Sequence, residues 1–387
     1  MVPRNTGLLL RRGTNQAMQD GANIKPLTSL RFFAAFWVVL FHYWPKLAVP
    51  FTPAFVDKGY LGVELFFTLS GFILCHVYLS SVGEGRFKYG SFLWARLARV
   101  YPLHLATLAG VGLLAAAALA LGLSIDRNIL SWTSLPANVL MLHAWGLAPV
   151  AGWNHPSWSI SAEWFAYLSF PAFAWLALKL RARPYAALAG AVAFMALLYT
   201  GFEAVAGFPL TRATIAWGAL RIVPCFALGC ATYLVWRAGA AAGAADRRNQ
   251  AALGALFFGA GIAVSAQFGA PDAVIVAGFS GLILSLAKLA RSGSSFGSHP
   301  AFVYLGEISY SVYMICIPWQ LLFVNVAAKV LHLSDKKLPW FVWLIFIISL
   351  VPLSAASYHL IEKPARERMK LMAAKRRDHA FATAPAG

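Results

Sequence analysis

Ten hydrophobic runs, each close to the length of a membrane-spanning helix, make up most of this 387-residue chain. A helix needs roughly 20 apolar residues to cross a bilayer. Sixty per cent of the residues are apolar and only 12% are charged, against about 25% charged in a typical soluble domain. We therefore predict an all-α integral membrane protein, a bundle of about ten transmembrane helices. The runs cover residues 27–48, 60–80, 100–123, 158–180, 184–201, 213–236, 250–267, 271–290, 301–326 and 338–361.

A shorter apolar stretch at 134–149 is interrupted by Pro136, His143 and Pro149. Ten to fourteen apolar residues rarely span a bilayer, so we interpret this stretch as a short re-entrant or external-loop helix. Counting it as a span would also reverse the orientation of every helix that follows.

The distribution of Lys and Arg predicts the orientation. With a cytoplasmic N-terminus, 23 of the 32 basic residues fall in inner segments and seven in outer segments, the bias that cytoplasmic loops show. The net charge of +18 is therefore attributed to topology and not to nucleic-acid binding. We predict a cytoplasmic segment at 1–26, a membrane domain at 27–364 and a basic cytoplasmic tail at 365–387, disordered from residue 371 onward.

Ionisable residues inside the predicted spans are functional candidates, because a charge at membrane depth is costly. Arg31 and His42 are eleven residues apart, which puts them on one helix face about 16 Å apart along the axis. His42, Glu64 and Glu163 are expected to share the outer third of the membrane, as a general base with carboxylate partners. The alternative for each is structural: an interhelical hydrogen bond for the histidine and ion pairs for the carboxylates.

Arg96 and Arg99 lie one helical turn apart just before the third span, on the predicted cytoplasmic side. Two guanidinium groups at this spacing can clamp a phosphate. Ordinary topology-determining charge, with the side chains reaching lipid headgroups, is the alternative.

Seven segments, in order, resemble the signature elements of the acyltransferase-3 family of membrane proteins. The resemblance covers about residues 27–364, and departs from the family at Ala95, where a further arginine is common. The segments are Leu27–His42 with its Arg-x10-His spacing, Gly62–Phe72, Arg96–Pro102, Trp158–Glu163, Arg221–Gly229, Leu305–Tyr313 and Ile361–Pro364.

This resemblance implies an O-acyltransferase in the bacterial cytoplasmic membrane that takes an acyl group, most often acetyl, from cytoplasmic acyl-CoA. The acceptor would be a hydroxyl of a cell-envelope carbohydrate, exopolysaccharide, glycolipid or similar molecule. No permanently bound cofactor and no metal are expected. The implied residues are His42, Glu163 and Glu64 for catalysis, Arg31, Arg96 and Arg99 for acyl-CoA, and Trp158, Ser161, Ser70, Arg221, Tyr310 and Glu362 in support.

Several alternatives stay open at this point. His42 either acts as a general base in direct transfer or carries the acyl group itself. A transporter or flippase of lipid-linked sugars would also place charges inside a bundle, although no inverted repeat is evident. A structural membrane subunit, whose charges only pair helices, is a third reading. Aromatic and histidine side chains in the 124–157 loop would either stack on an acceptor sugar or form an interfacial belt: Trp132, His143, Trp145, Trp153 and His155.

Overall fold

The computed structural model describes residues 24–122, 128–239 and 248–382, and these residues are predominantly helical. Nine of the helices within them are long and apolar enough to cross a membrane. The predicted all-α membrane architecture is therefore confirmed. Most of the predicted cytoplasmic segment at 1–26 lies outside the described residues.

The α-helices follow the predicted runs closely. In chain order they are α1 Lys25–Tyr43, α2 Ala54–Asp57, α3 Gly62–Gly83, α4 Tyr89–Ala120, α5 Leu135–Val139, α6 Trp158–Leu168, α7 Phe170–Leu180, α8 Pro184–Ala206, α9 Gly218–Ala238, α10 Arg248–Gln267, α11 Asp272–Arg291, α12 Pro300–Glu307, α13 Ser309–Val330, α14 Trp340–Ser357 and α15 Lys363–Ala382.

The run at 158–180, predicted as one spanning helix, is broken into two helices of eleven residues, α6 and α7. The break lies at Ser169, and Pro171 follows it at the start of α7. Proline has no N–H to donate to the preceding turn and its ring crowds that turn, so a continuous α-helix is disfavoured here. With eleven residues, α6 is too short to cross a bilayer by itself.

The stretch at 134–149 forms only the five-residue α5 and 3₁₀ turns at Trp132–Ser134 and His143–Trp145. The prediction that it does not span is confirmed. The loop folds inward against the bundle, because His143, Trp153 and Asn154 are all less than 8% exposed. Pro156 and Ser157, directly before α6, are buried as well.

Glycines set the closest helix contacts. A Cβ added at Gly71 of α3 would overlap the carbonyl oxygen of Phe226 in α9, and one at Gly229 of α9 would overlap the carbonyl oxygen of Thr68. Small residues allow membrane helices to approach closely and pack backbone against backbone. This reciprocal contact positions α3 and α9, the two helices that carry Glu64 and Arg221.

The prediction of a disordered tail from residue 371 is wrong as far as residue 382, since α15 continues to Ala382. A π-helical turn, Tyr358–Glu362, joins α14 to α15 without a loop. The indole Nε1 of Trp94 in α4 donates to the carbonyl of Met369 at 2.8 Å. Backbone continuity and this bond hold α15 against the bundle.

Candidate active site

A cavity of about 680 Å³ opens between α1, α3, α4, α6, α13 and α15. We call it the basic cavity, because five cationic side chains line it against two carboxylates. The cations are Arg31, Arg96, Arg99, Arg366 and Lys370, and the carboxylates are Glu163 and Glu307. We call the end of the bundle that carries Arg96, Arg366 and Lys370 the basic end. Excess positive charge in a concave site favours an anionic ligand.

Glu163 lines the basic cavity from α6. Its Oε1 accepts a hydrogen bond of 2.6 Å from the hydroxyl of Ser70 in α3. The hydroxyl of Tyr167, one turn further along α6, is also bonded to this carboxylate, and Arg31 lies within its electrostatic reach. Two hydroxyl donors and a nearby guanidinium hold the carboxylate in place while one face remains open to the cavity.

Arg96 is held by aromatic faces. Its guanidinium carbon lies 5.8 Å from the ring centre of Tyr78 and 6.0 Å from that of Tyr167, which are cation–π distances. Its Nε is buried without a hydrogen-bond partner. A buried donor left unbonded is costly, so the site favours an incoming acceptor atom.

Glu64 does not line the basic cavity but forms a buried ion pair with Arg221. Arg221 Nε lies 2.5 Å from Glu64 Oε1, and Arg221 Nη2 lies 2.9 Å from Glu64 Oε2. Arg221 also donates to the carbonyl of Ala213 at 2.8 Å and stacks on Trp158 at 4.5 Å. Both acceptor oxygens of Glu64 are thus occupied by Arg221, as in the structural alternative.

The expectation that His42, Glu64 and Glu163 share one depth is wrong. Glu163 pairs with Ser70, six residues beyond Glu64 on α3 and therefore about 9 Å further along the axis, and it lines the cavity together with Arg31. The reason is the inward-folded loop before α6, which starts that helix inside the bundle instead of at the membrane edge.

His42 lies at the far end of α1 from Arg31, half-buried, and does not line the basic cavity. Within the described chain, the titratable group that acts on it electrostatically is His155 and not a carboxylate. The predicted carboxylate partner of His42 is therefore not found there. Tyr313 links the two regions, because it lines the basic cavity and its hydroxyl donates to the carbonyl of Pro156, next to His155, at 3.0 Å.

The remaining predicted residues fall into two groups. Ser70 and Tyr310 line the cavity, and Tyr310 donates to the carbonyl of Val100 at 2.6 Å. Ser161 and Glu362 lie outside the cavity lining: Ser161 ties α6 to the preceding loop, and Glu362 ties the π-helical turn to α13. The hydroxyl of Ser161 accepts from the Ala144 amide at 3.0 Å and donates to the Met141 carbonyl at 2.7 Å. Glu362 accepts from Ser311 at 3.0 Å.

Sequence reasoning missed Tyr78, Tyr167, Arg366 and Lys370 as site residues, and it assigned His155 to the acceptor loop and not to the surroundings of His42. Tyr78 and Tyr167 read as apolar helix positions, and the two cations read as topology charge in the tail. The i, i+4 spacing of Arg366 and Lys370 was the available signal, since it places both on one helix face.

A buried pair of histidines lies where the loop between α5 and α6 meets α4. His143 stacks parallel to His104 with ring centres 6.0 Å apart, and its Nε2 is bonded to the hydroxyl of Ser157 at 3.1 Å. Burial, reinforced by His104, lowers the pKa of His143 to about 3. Burial also lowers the pKa of His155. These side chains are neutral at ordinary pH.

Comparison with known proteins identifies the family of the chain. The model of the acyltransferase domain of the acyltransferase-3 family matches residues 25–359. Acyltransferase MdmB of Streptomyces mycarofaciens is 31% identical over 319 residues, 75% of this chain and 77% of that protein. Protein 2 in picA locus of Rhizobium radiobacter is 52% identical over 52 residues, 13% of this chain and 27% of that protein. No solved structure matches.

The family match spans most of the chain, and the basic cavity holds several of the motif residues. The chain is a membrane acyltransferase that belongs to the acyltransferase-3 family.

Proposed function

We propose that this protein transfers an acyl group, acetyl in the simplest case, from acyl-CoA to a hydroxyl group of a cell-envelope carbohydrate, exopolysaccharide, glycolipid or similar acceptor. The observation that carries this proposal is the basic cavity, with Arg31, Arg96 and Arg99 in its wall. CoA has a diphosphate and a 3′-phosphate at one end and a thioester at the other. Guanidinium groups are the side chains best suited to phosphate.

The proposal gives the molecule a direction. We place the basic end at the cytoplasmic face of the bacterial inner membrane, because inner loops carry most of the Lys and Arg and acyl-CoA is cytoplasmic. Arg31 then lies on the donor's side of the membrane and His42 nearer the opposite face, about 16 Å away along α1. That separation is comparable with the length of the pantetheine arm, so the thioester would extend toward the histidines.

The proposed chemistry is direct transfer. Neutral His42 accepts the proton of the acceptor hydroxyl while the hydroxyl oxygen attacks the thioester carbonyl. Collapse of the tetrahedral intermediate breaks the carbon–sulfur bond, and the departing CoA thiolate takes the proton from His42. Tyr313 and His155 connect the far wall of the cavity to His42. An acyl-histidine intermediate is the alternative, and trapping one in the absence of acceptor would establish it.

The test uses the purified full chain in nanodiscs with radiolabelled acetyl-CoA and an extract of envelope carbohydrates that supplies the acceptor hydroxyl. Wild type is expected to release CoA, His42→Ala to bind acetyl-CoA without turnover, and Arg31→Ala to weaken donor binding. Undiminished turnover by His42→Ala would rule out the mechanism. Mass spectrometry of envelope polysaccharides and lipids from a deletion strain would identify the acceptor.

The same preparation tests the transporter alternative. Proteoliposomes that move a lipid-linked sugar without consuming acyl-CoA would replace the proposed reaction with transport. Consumption of acyl-CoA that depends on His42 would exclude transport as the main activity.

A further inference from the structure

The turn that leads into α15 has an unusual geometry. Residues Tyr358–Glu362 form one π-helical turn, and single π turns inside helices occur frequently at functional sites. Tyr358 lines the basic cavity, and Glu362 is 3% exposed and bonded to Ser311. The wide turn therefore anchors the start of α15 to the bundle core.

This anchoring places one face of α15 over the mouth of the cavity. Arg366 and Lys370 are four residues apart, share that face and line the cavity. The bond from Trp94 to the Met369 carbonyl fixes the helix at this level against α4, which also carries Arg96. Arg368 is exposed, and it does not line the cavity.

The charges around Lys370 are mostly of one sign. Arg366, Arg96 and Arg99 act on it electrostatically, opposed by Glu367. The carboxylate of Glu362 lies 4.0 Å from Arg366, and it also accepts a hydrogen bond from Ser311. Like charges gathered at a cavity mouth repel one another, and an anion among them relieves that repulsion.

We propose that Arg366 and Lys370 of α15, together with Arg96 of α4, form the site that binds the phosphates of the donor. The site takes the 3′-phosphoadenosine diphosphate end of CoA, and so distinguishes acyl-CoA from acyl groups on pantetheine alone. This assignment rests on the proposed function, since it names the donor subsite of the same cavity. Arg31, deeper in the cavity, is left for the pantetheine arm.

A comparison of two donors tests the site: acetyl-CoA and S-acetylpantetheine. The double variant Arg366→Gln/Lys370→Gln is expected to raise KM for acetyl-CoA roughly 10- to 100-fold, because charge-assisted hydrogen bonds are lost. The kinetic constants for S-acetylpantetheine are expected to stay within about twofold of wild type, because S-acetylpantetheine lacks the phosphates. The kcat for acetyl-CoA is expected to stay within about twofold as well, because the reacting groups are unchanged. Arg368→Gln, on the same helix with the same charge change, is the control.

Two kinetic results would overturn the assignment. An equal loss with acetyl-CoA and S-acetylpantetheine would mean that α15 only supports the fold. An equal loss in Arg368→Gln would mean that the general surface charge, and not a site, attracts the donor.

Binding of adenosine 3′,5′-bisphosphate separates this inference from the proposed reaction, because it needs no turnover. Wild type and Arg368→Gln are expected to bind the probe, and the double variant roughly 10- to 100-fold more weakly. Binding that the double variant retains would overturn the site even if transfer is confirmed. Nanodiscs with and without phosphatidylglycerol distinguish a lipid-headgroup site: displacement of the probe by anionic lipid would assign the cations to lipid.

Discussion

Arg221 and Glu64 form a bidentate ion pair in the core of the bundle, with side chains 2% and 0% exposed. The pair joins α9 to α3 beside the glycines at which these helices meet. A carboxylate held in this way is engaged by its partner and is not free to orient His42. Glu64 and Arg221 thus tie α3 to α9, while Ser70 of the same motif lines the basic cavity.

Separating the charges should therefore affect folding first. Glu64→Gln leaves the Arg221 guanidinium buried and uncompensated, and removal of one partner of a buried pair costs about 3–5 kcal/mol. We expect a large loss of thermal stability, measured by unfolding in detergent, with partial recovery in Glu64→Leu/Arg221→Met. A stable but inactive Glu64→Gln protein would instead support the role in catalysis that the sequence predicted.

Glu163 should behave in the opposite way. Its partners are the hydroxyls of Ser70 and Tyr167, and a glutamine oxygen can accept the same bonds. We expect Glu163→Gln to unfold within about 1 kcal/mol of wild type, in the range of a single hydrogen-bond change. Turnover should fall at least about 100-fold if the carboxylate takes part in proton transfer. Full activity in this variant would assign Glu163 to structure.

The glycine contacts make a matched pair of tests. Gly229→Ala places a Cβ against the Thr68 carbonyl, so α3 and α9 must move apart. We expect it to cost about 1–3 kcal/mol, as overpacking does. Gly190→Ala in α8 meets no atom within 4 Å and should stabilise by up to about 1 kcal/mol through helix propensity. Thermal unfolding of the two variants should therefore shift in opposite directions.

Acid should destabilise the fold through His143, in the loop between α5 and α6. The pKa of His143 is about 3 in the fold because of burial, and about 6.5 in an unfolded chain. Between these values the unfolded chain binds a proton that the folded chain does not. The neutral His143 therefore contributes stability that is fully present above pH 6.5 and is lost as the pH falls. The free energy of unfolding is expected to decrease by about 2 kcal/mol between pH 7 and pH 5. Unfolding curves at both pH values measure the loss.

His143→Gln provides the control for the acid effect, because glutamine does not titrate. Its stability should change less between pH 7 and pH 5 than that of wild type. The pKa of His155 is also lowered by burial, so a residual decrease is expected. An unchanged pH dependence in His143→Gln would show that this histidine does not contribute.

The sequence by itself determined the membrane class, the position of nearly every helix and the family. Hydropathy and periodicity are local properties, so they predict helices without information about which helices pack together. The same reasoning located Arg31, Arg96, Arg99 and Glu163, all of which line one cavity.

Only the tertiary structure decided which of these side chains meet. Glu64 lies 157 residues from Arg221, and Ser70 lies 93 residues from Glu163. Such pairs depend on the rotation and depth of each helix, which interhelical packing sets and no local pattern encodes. Depth was misjudged at Glu163 because the loop before α6 folds inward. The tail was misjudged because its order comes from contacts with α4 and not from its own composition.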